Sequence, residues 1–135
     1  MDKGQEPNEK QQEIIFKLSM LEQQMQQVQE QIESVSRGVD ELSSLNFGLD
    51  DLRGSVGKEI LAPLGRGIFV GATVNSEALT VDLGGKIFVQ KSVAETKEII
   101  EGQVKKLLSV KDDLNSTLEK ISEEAEKTLR EFQAE

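Results

Sequence analysis

The chain of 135 residues contains no cysteine, histidine, tryptophan or tyrosine. Disulfides, thiolate and imidazole nucleophiles and the common zinc sites are thereby excluded. Aromatic residues are scarce, amounting to five phenylalanines, and there are two prolines. No apolar run approaches the roughly 20 residues needed to cross a bilayer, and the opening MDKGQEPNEKQQE is polar where a signal peptide would be hydrophobic. The expected location is cytoplasmic, with weak support from the absence of cysteine. Basic residues are also in deficit, 16 against 25 acidic ones, for a net charge of −9. Such a chain repels phosphate backbones and anionic membrane surfaces, so neither a nucleic acid nor a membrane is an expected partner. With 36% hydrophobic and 30% charged residues, it also lacks the material for a large globular core. An elongated or assembled protein is expected.

What the chain does have is periodicity. From Ile14 the apolar residues Leu18, Leu21, Met25, Val28, Ile32, Val35, Val39 and Leu42 alternate steps of four and three, the pattern of a coiled-coil seam. The Gln-rich SMLEQQMQQVQEQ reads as the solvated face of this helix rather than as a low-complexity tract. A second, less regular seam runs from Val93 through Ile100, Val104, Leu107, Leu114, Leu118, Ile121, Ala125 and Phe132, with Lys97, Lys111 and Thr128 as polar exceptions. Glu101 with Lys105, Glu123 with Lys127 and Glu126 with Arg130 have the favourable i, i+4 order, and Ser92 or Thr96 is placed to cap the start.

Folded antiparallel, the seams match layer by layer, from Ile14 with Phe132 through Met25 with Ile121 to Leu42 with Val104. Only Val35 against Lys111 is poor. This favours an intramolecular hairpin over parallel dimerisation through the first helix. Beyond Leu42 the stripe continues as Leu45, Leu49 and Leu52, one residue early, which reads as a local change of winding. Gly48 and Gly54 mark the end of the helix.

Between Gly57 and Lys91 the period changes to two. Ile68, Val70, Ala72 and Val74 alternate, then Leu79, Val81 and Leu83, then Ile87 and Val89. Asn75 to Glu77 supply one turn, Gly84–Gly85 a tight two-residue turn, and Pro63 confines the first strand to an edge or a strand start. Four short strands in two hairpins follow.

The stretch LGRGIFV from Leu64 is echoed by LGGKIFV from Leu83. A phosphate-binding loop would need a helix after its glycines, with Lys and Ser or Thr in the nucleotide-triphosphate version. Here a strand follows, and Gly71 arrives one position late for a dinucleotide fingerprint. The repeat therefore marks two hairpin tips. Two hairpins are too small to be stable alone, so Ile68, Phe69, Val70, Val74, Leu79, Val81, Leu83, Ile87, Phe88 and Val89 form an expected assembly surface, completed by strands of other subunits.

The order long helix, paired hairpins, long helix, with EILAPLGRGIFVGATV and LTVDLGGKIFVQKS, resembles the alpha class of prefoldin subunits of the archaeal type. The characteristic part is L-x-P-x-G-x-G-x-F over Leu61 to Phe69, followed by V-D-L-G-G and a K-S entering the second helix. Two hairpins match the alpha class, since beta-class subunits have one. The resemblance implies a hexamer of two alpha and four beta subunits, with coiled coils projecting from a β-barrel platform. It implies an ATP-independent holdase that takes non-native client proteins at the coiled-coil tips and passes them to a group II chaperonin.

The expected fold class is α+β, a long antiparallel two-helix coiled coil joined by two β-hairpins. Residues 1–13 form a polar N-terminal segment open to disorder, 14–54 the first helix, 57–91 the hairpins and 92–135 the second helix. The client-binding tip comprises Ile14, Ile15, Phe16, Leu129 and Phe132, an assignment made on geometry because the family's client contacts are not a fixed motif. Ordinary terminal core packing explains the same residues about as well. A scaffold or tethering subunit without holdase activity is the alternative. An enzyme built on Asp112 with Asp113, or Asp50 with Asp51, is disfavoured because adjacent helical residues diverge by about 100°. No enzyme, cofactor or metal is expected.

Overall fold

The computed structural model describes residues 8–134. Helix α1 spans Glu9–Gly48 and is followed by a short 3-10 turn, Leu49–Leu52. Strands β1 (Glu59–Gly65) and β2 (Ile68–Thr73) form one antiparallel pair, and β3 (Leu79–Asp82) and β4 (Phe88–Lys91) another. Helix α2 spans Val93–Ala134. The architecture is α+β.

Both helices begin at reciprocal caps. The Asn8 side chain accepts the Gln11 N–H at 2.7 Å while the Gln11 side chain accepts the Asn8 N–H at 3.1 Å. Ser92 and Glu95 repeat the device at 3.0 Å in each direction. Each box satisfies two donors that a helix start leaves open. Because the first box sits at Asn8, α1 starts ahead of Ile14, and Glu9 to Glu13 are helical rather than part of a disordered segment. Residues 1–7 of that expected segment lie outside the described residues. At its other end α1 stops at Gly48, short of Gly54, because the chain tightens into the 3-10 turn and Gly54 then takes φ 72°.

The chain divides into two compact units, one made of the residues up to Gly38 with those from Leu107, the other of Val39–Lys106. In the first, Ile14, Leu21 and Val28 are buried along α1. Thr128, a polar exception in the seam, is the most buried side chain at 1% exposure; its hydroxyl donates to the Glu124 carbonyl at 2.8 Å, so burial leaves no unmet donor. Gly38 faces α2, where a Cβ would lie 3.4 Å from the Leu107 side chain, an ordinary van der Waals contact.

In the second unit Leu49, Val93 and Ile100 form a buried cluster, with Leu42, Leu52, Leu79 and Val104 packed against it. The seam does not shift here. Asn46 takes the layer after Leu42 and Leu49 the next, while Leu45 is 52% exposed. The expected change of winding is therefore absent, because the coil keeps its register by accepting a polar layer. The Asn46 Oδ1 is buried without a hydrogen-bond partner. Lys97, another polar exception, reaches Asp50 at 2.8 Å and so removes its charge from the seam.

The repeated glycine stretch is a repeated backbone conformation. Gly65, Arg66 and Gly67 have φ of 128°, 50° and 78°, and Gly84, Gly85 and Lys86 have 109°, 62° and 63°. In both hairpins the last two of these residues form the turn, with positive φ at both, as type I′ requires. The second tip is consequently Gly85–Lys86 rather than Gly84–Gly85, with Ile87 N–H donating to the Gly84 carbonyl. Leu83 and Ile87 flank that turn, bonded to each other, and lie outside the strands.

Candidate functional site

Among the described residues two groups of exposed apolar side chains bear on the expected sites. The first is at the paired helix ends. Lys17 on α1 and Glu124 on α2 are joined at 2.8 Å, which brings the start of one helix beside the end of the other. The pair holds the Glu124 carboxyl below, and the Lys17 ammonium above, its ordinary pKa, chiefly through their shared hydrogen bond. Around it Ile14 is buried at 7% and Phe132 half-buried, so both are core layers. Ile15, Phe16 and Leu129 are 46%, 67% and 44% exposed. One residue escaped the sequence argument: Met20, 46% exposed, lies one turn beyond Phe16 on the same face. Its signal was the i, i+4 spacing off the seam, hidden within a Gln-rich stretch.

The second surface is the hairpins. Residues paired across antiparallel strands share a face, and the register of β1 and β2 puts Ile60, Ala62, Ile68, Val70 and Ala72 on one side. Leu61, Pro63, Phe69 and Gly71 occupy the other. Ile68, Phe69 and Val70 are largely exposed, as are Ile60, Leu61 and Leu64, which the run EILAPL signalled but which the expected surface omitted. The β3–β4 pair behaves differently. Leu79, Val81 and Val89 are half-buried on one face, while Phe88 stands exposed among Thr80, Asp82 and Gln90 on the other. Val74 is half-buried, and Leu83 and Ile87 are exposed at the second tip.

Chemistry is sparse on both surfaces. Among the described residues no group of three or more Asp and Glu is placed to hold a metal ion. No described helix is long and apolar enough to cross a membrane. Asp50, one of the adjacent acidic residues, is held below the usual carboxylate range by its hydrogen bond to Lys97, with further help from the charges of Lys97 and Arg53. That is a structural ion pair. The glycines that resemble a phosphate loop lie between two strands, and a strand rather than a helix follows them.

Residues 21–135 match the family model described as Prefoldin subunit. The chain is 30% identical over 112 residues to prefoldin subunit alpha of Methanobrevibacter smithii, covering 82% of this chain and 77% of that protein. It is 32% identical over 114 residues to prefoldin subunit alpha of Methanococcus maripaludis, covering 84% and 78%. Among solved structures, filamentous PFD from Methanocaldococcus jannaschii aligns with a TM-score of 0.51 at 21% identity, over 89% of this chain and 95% of that one. A chaperone-type subunit of an oligomeric complex is what these relationships describe. The chain belongs to the prefoldin family, and its curated relatives are alpha subunits of archaeal prefoldins.

Proposed function

We propose that this chain is a subunit of a cytoplasmic, ATP-independent holdase, assembled as two alpha with four beta-class subunits, that binds non-native proteins at its paired helix ends and passes them to a group II chaperonin. The observation that carries this reading is the group Ile15, Phe16, Met20 and Leu129, exposed at the ends of two long helices whose other outward positions are mostly polar. Apolar side chains on such a surface offer non-directional contacts that accept any exposed hydrophobic segment. Methionine adds conformational adaptability. Several arms acting together would gather avidity from individually weak contacts.

The hairpins support the assembly half of the reading. Their apolar faces are too large and too uncovered to be the finished surface of a monomer, and two-stranded sheets gain stability from further strands. Ile68, Phe69, Val70 and Phe88 are the principal assembly residues under this reading, with Leu83 and Ile87 at the second tip. Val74, Leu79, Val81 and Val89 contribute the half-buried side.

A coiled-coil scaffold without holdase activity would share the hairpins and differ at the helix ends. Co-assembly with a beta-class subunit, followed by light scattering of a chemically unfolded client, separates the two. A holdase suppresses aggregation without nucleotide; a scaffold assembles and suppresses nothing.

A further inference from the structure

Peroxides find few targets in this chain. Cysteine, histidine, tryptophan and tyrosine, which would otherwise compete for an oxidant, are absent, and three methionines remain. Of these, Met20 and Met25 fall among the described residues. Met25 occupies a seam position of α1 and is half-buried, whereas Met20 stands off the seam and is exposed. Oxidation of a thioether requires the oxidant to reach the sulfur, so exposure ranks Met20 first.

The surroundings of Met20 give that reaction a consequence. Phe16 lies one turn before it on the same face of α1, and both side chains are exposed. One turn after it come Gln23 and Gln24, also exposed, at the i, i+3 and i, i+4 spacings. Helical side chains lean toward the N-terminus, so amides at these positions are placed to reach back toward position 20. A thioether is a weak acceptor and leaves them to water, whereas a sulfoxide oxygen accepts strongly. The glutamines that follow Met20 therefore suit its oxidised form, and Phe16 suits its reduced form.

We propose that Met20 is a modification site at which a hydroperoxide forms methionine sulfoxide, and that the modification turns down client capture at the helix ends until a sulfoxide reductase removes it. This rests on the functional reading above and supplies its regulation. In the step, a sulfur lone pair attacks one peroxide oxygen as the O–O bond breaks. Sulfur gives up two electrons, the departing hydroxide takes the proton of the transferred oxygen, and water leaves. The product is polar where the thioether was apolar and adaptable, so it stays hydrated and offers a client no hydrophobic contact. The coil layers are untouched, because Met20 is no part of them.

The complex assembled with a beta-class subunit is treated with hydrogen peroxide, cleared of it, and assayed by light scattering of an unfolded client. Peptide mass spectrometry of this chain should show Met20 gaining oxygen several-fold faster than Met25. The concentration of complex that halves the scattering should rise in step with Met20 oxidation, by about two- to tenfold, since other arms share the load. The two methionine sulfoxide reductases, one for each epimer, should reverse the change. Oxidation of the partner subunits is common to every variant, so differences between variants report on this chain. Met20→Leu keeps an apolar side chain that peroxide does not alter, and treatment should cost it only what the partner subunits lose. Met25→Leu should lose as much as the unaltered chain, and Met20→Gln should start near the treated level. Oxidation of Met25 as fast as Met20, a treated complex as effective as the untreated one, or an equal loss in Met20→Leu and the unaltered chain would overturn the proposal. An untreated complex that suppresses nothing undoes the functional reading and the proposal with it; one that suppresses aggregation and is indifferent to sulfoxide at Met20 undoes the proposal alone.

Discussion

The two hairpins share a tip conformation and little else. LGRGIFV and LGGKIFV place three successive positive φ angles at corresponding positions, yet β1–β2 is apolar and largely uncovered on both faces, whereas β3–β4 sets Leu79 against the Leu49, Val93 and Ile100 cluster and keeps Val81 and Val89 half-buried on the same face. Leu79 makes the difference, packing against that cluster from β3. A turn sequence therefore fixes how a strand pair closes and says nothing about what covers it. Coverage is decided by the strand residues, which are IFVGAT in one case and LTVD with FVQK in the other. The second hairpin belongs to the fold of the subunit; under the proposed function the first is left for its neighbours.

This comparison can be broken from either side. The largest effect should come from Phe69→Asp on β1–β2. Little burial within the chain is lost, since Phe69 is 55% exposed, but under the proposed function a charge is placed where a partner must pack. Assembly with a beta-class subunit should be abolished in native mass spectrometry while the melting temperature of the isolated chain hardly moves. The reverse pattern is expected for the covered side. Ile100→Ala should destabilise the isolated chain by about 2–4 kcal/mol, and Leu79→Ala, half-buried, by about 1–2 kcal/mol, in urea unfolding. Equal sensitivity of the isolated chain to Phe69→Asp and Leu79→Ala would erase the distinction between the hairpins.

Smaller still is the cap that joins β4 to α2. Ser92→Ala removes the acceptor for the Glu95 N–H and should lower stability by about 1 kcal/mol. Its partner sets a pH dependence. Glu95 is held below the usual carboxylate range, mostly by the Ser92 N–H and also by the Ser92 side chain, and Asp50 and Glu124 are lowered by Lys97 and Lys17. A depressed folded-state pKa contributes stability that is complete above the ordinary carboxylate range and lost as pH falls through the lowered value. Helix content followed by circular dichroism should hold steady from neutrality to the upper edge of that range and fall modestly below it. Exposure of all three groups keeps the effect small.

Much of the fold was legible because it rests on periodicity. Steps of four and three set both helices, and the change to alternation set the strands. What periodicity misjudged were positions where polar residues occupy core layers. Asn46 reads as a break in the seam, yet the coil keeps its register through it. Thr128 reads as a flaw, yet its hydroxyl returns to its own helix and allows nearly complete burial. The start of α1 was missed because an Asn and Gln box lies inside a polar run with no apolar marker. At the helix ends the pattern separates Ile14 and Phe132, which are core layers, from Ile15, Phe16 and Leu129, which stand beside them. It passes over Met20, because its i, i+4 spacing from Phe16 lies off the seam that the pattern follows.

The central claim is that the uncovered side chains at the helix ends capture clients, whereas the uncovered hairpin builds the complex. It is tested most directly by light scattering of an unfolded client with the assembled complex carrying Phe16→Ser, Met20→Ser and Leu129→Ser in this chain. The account predicts normal assembly, unchanged helix content and a clear loss of aggregation suppression. Suppression equal to that of the unaltered complex would contradict it, and so would a loss of assembly with capture by the remaining subunits preserved.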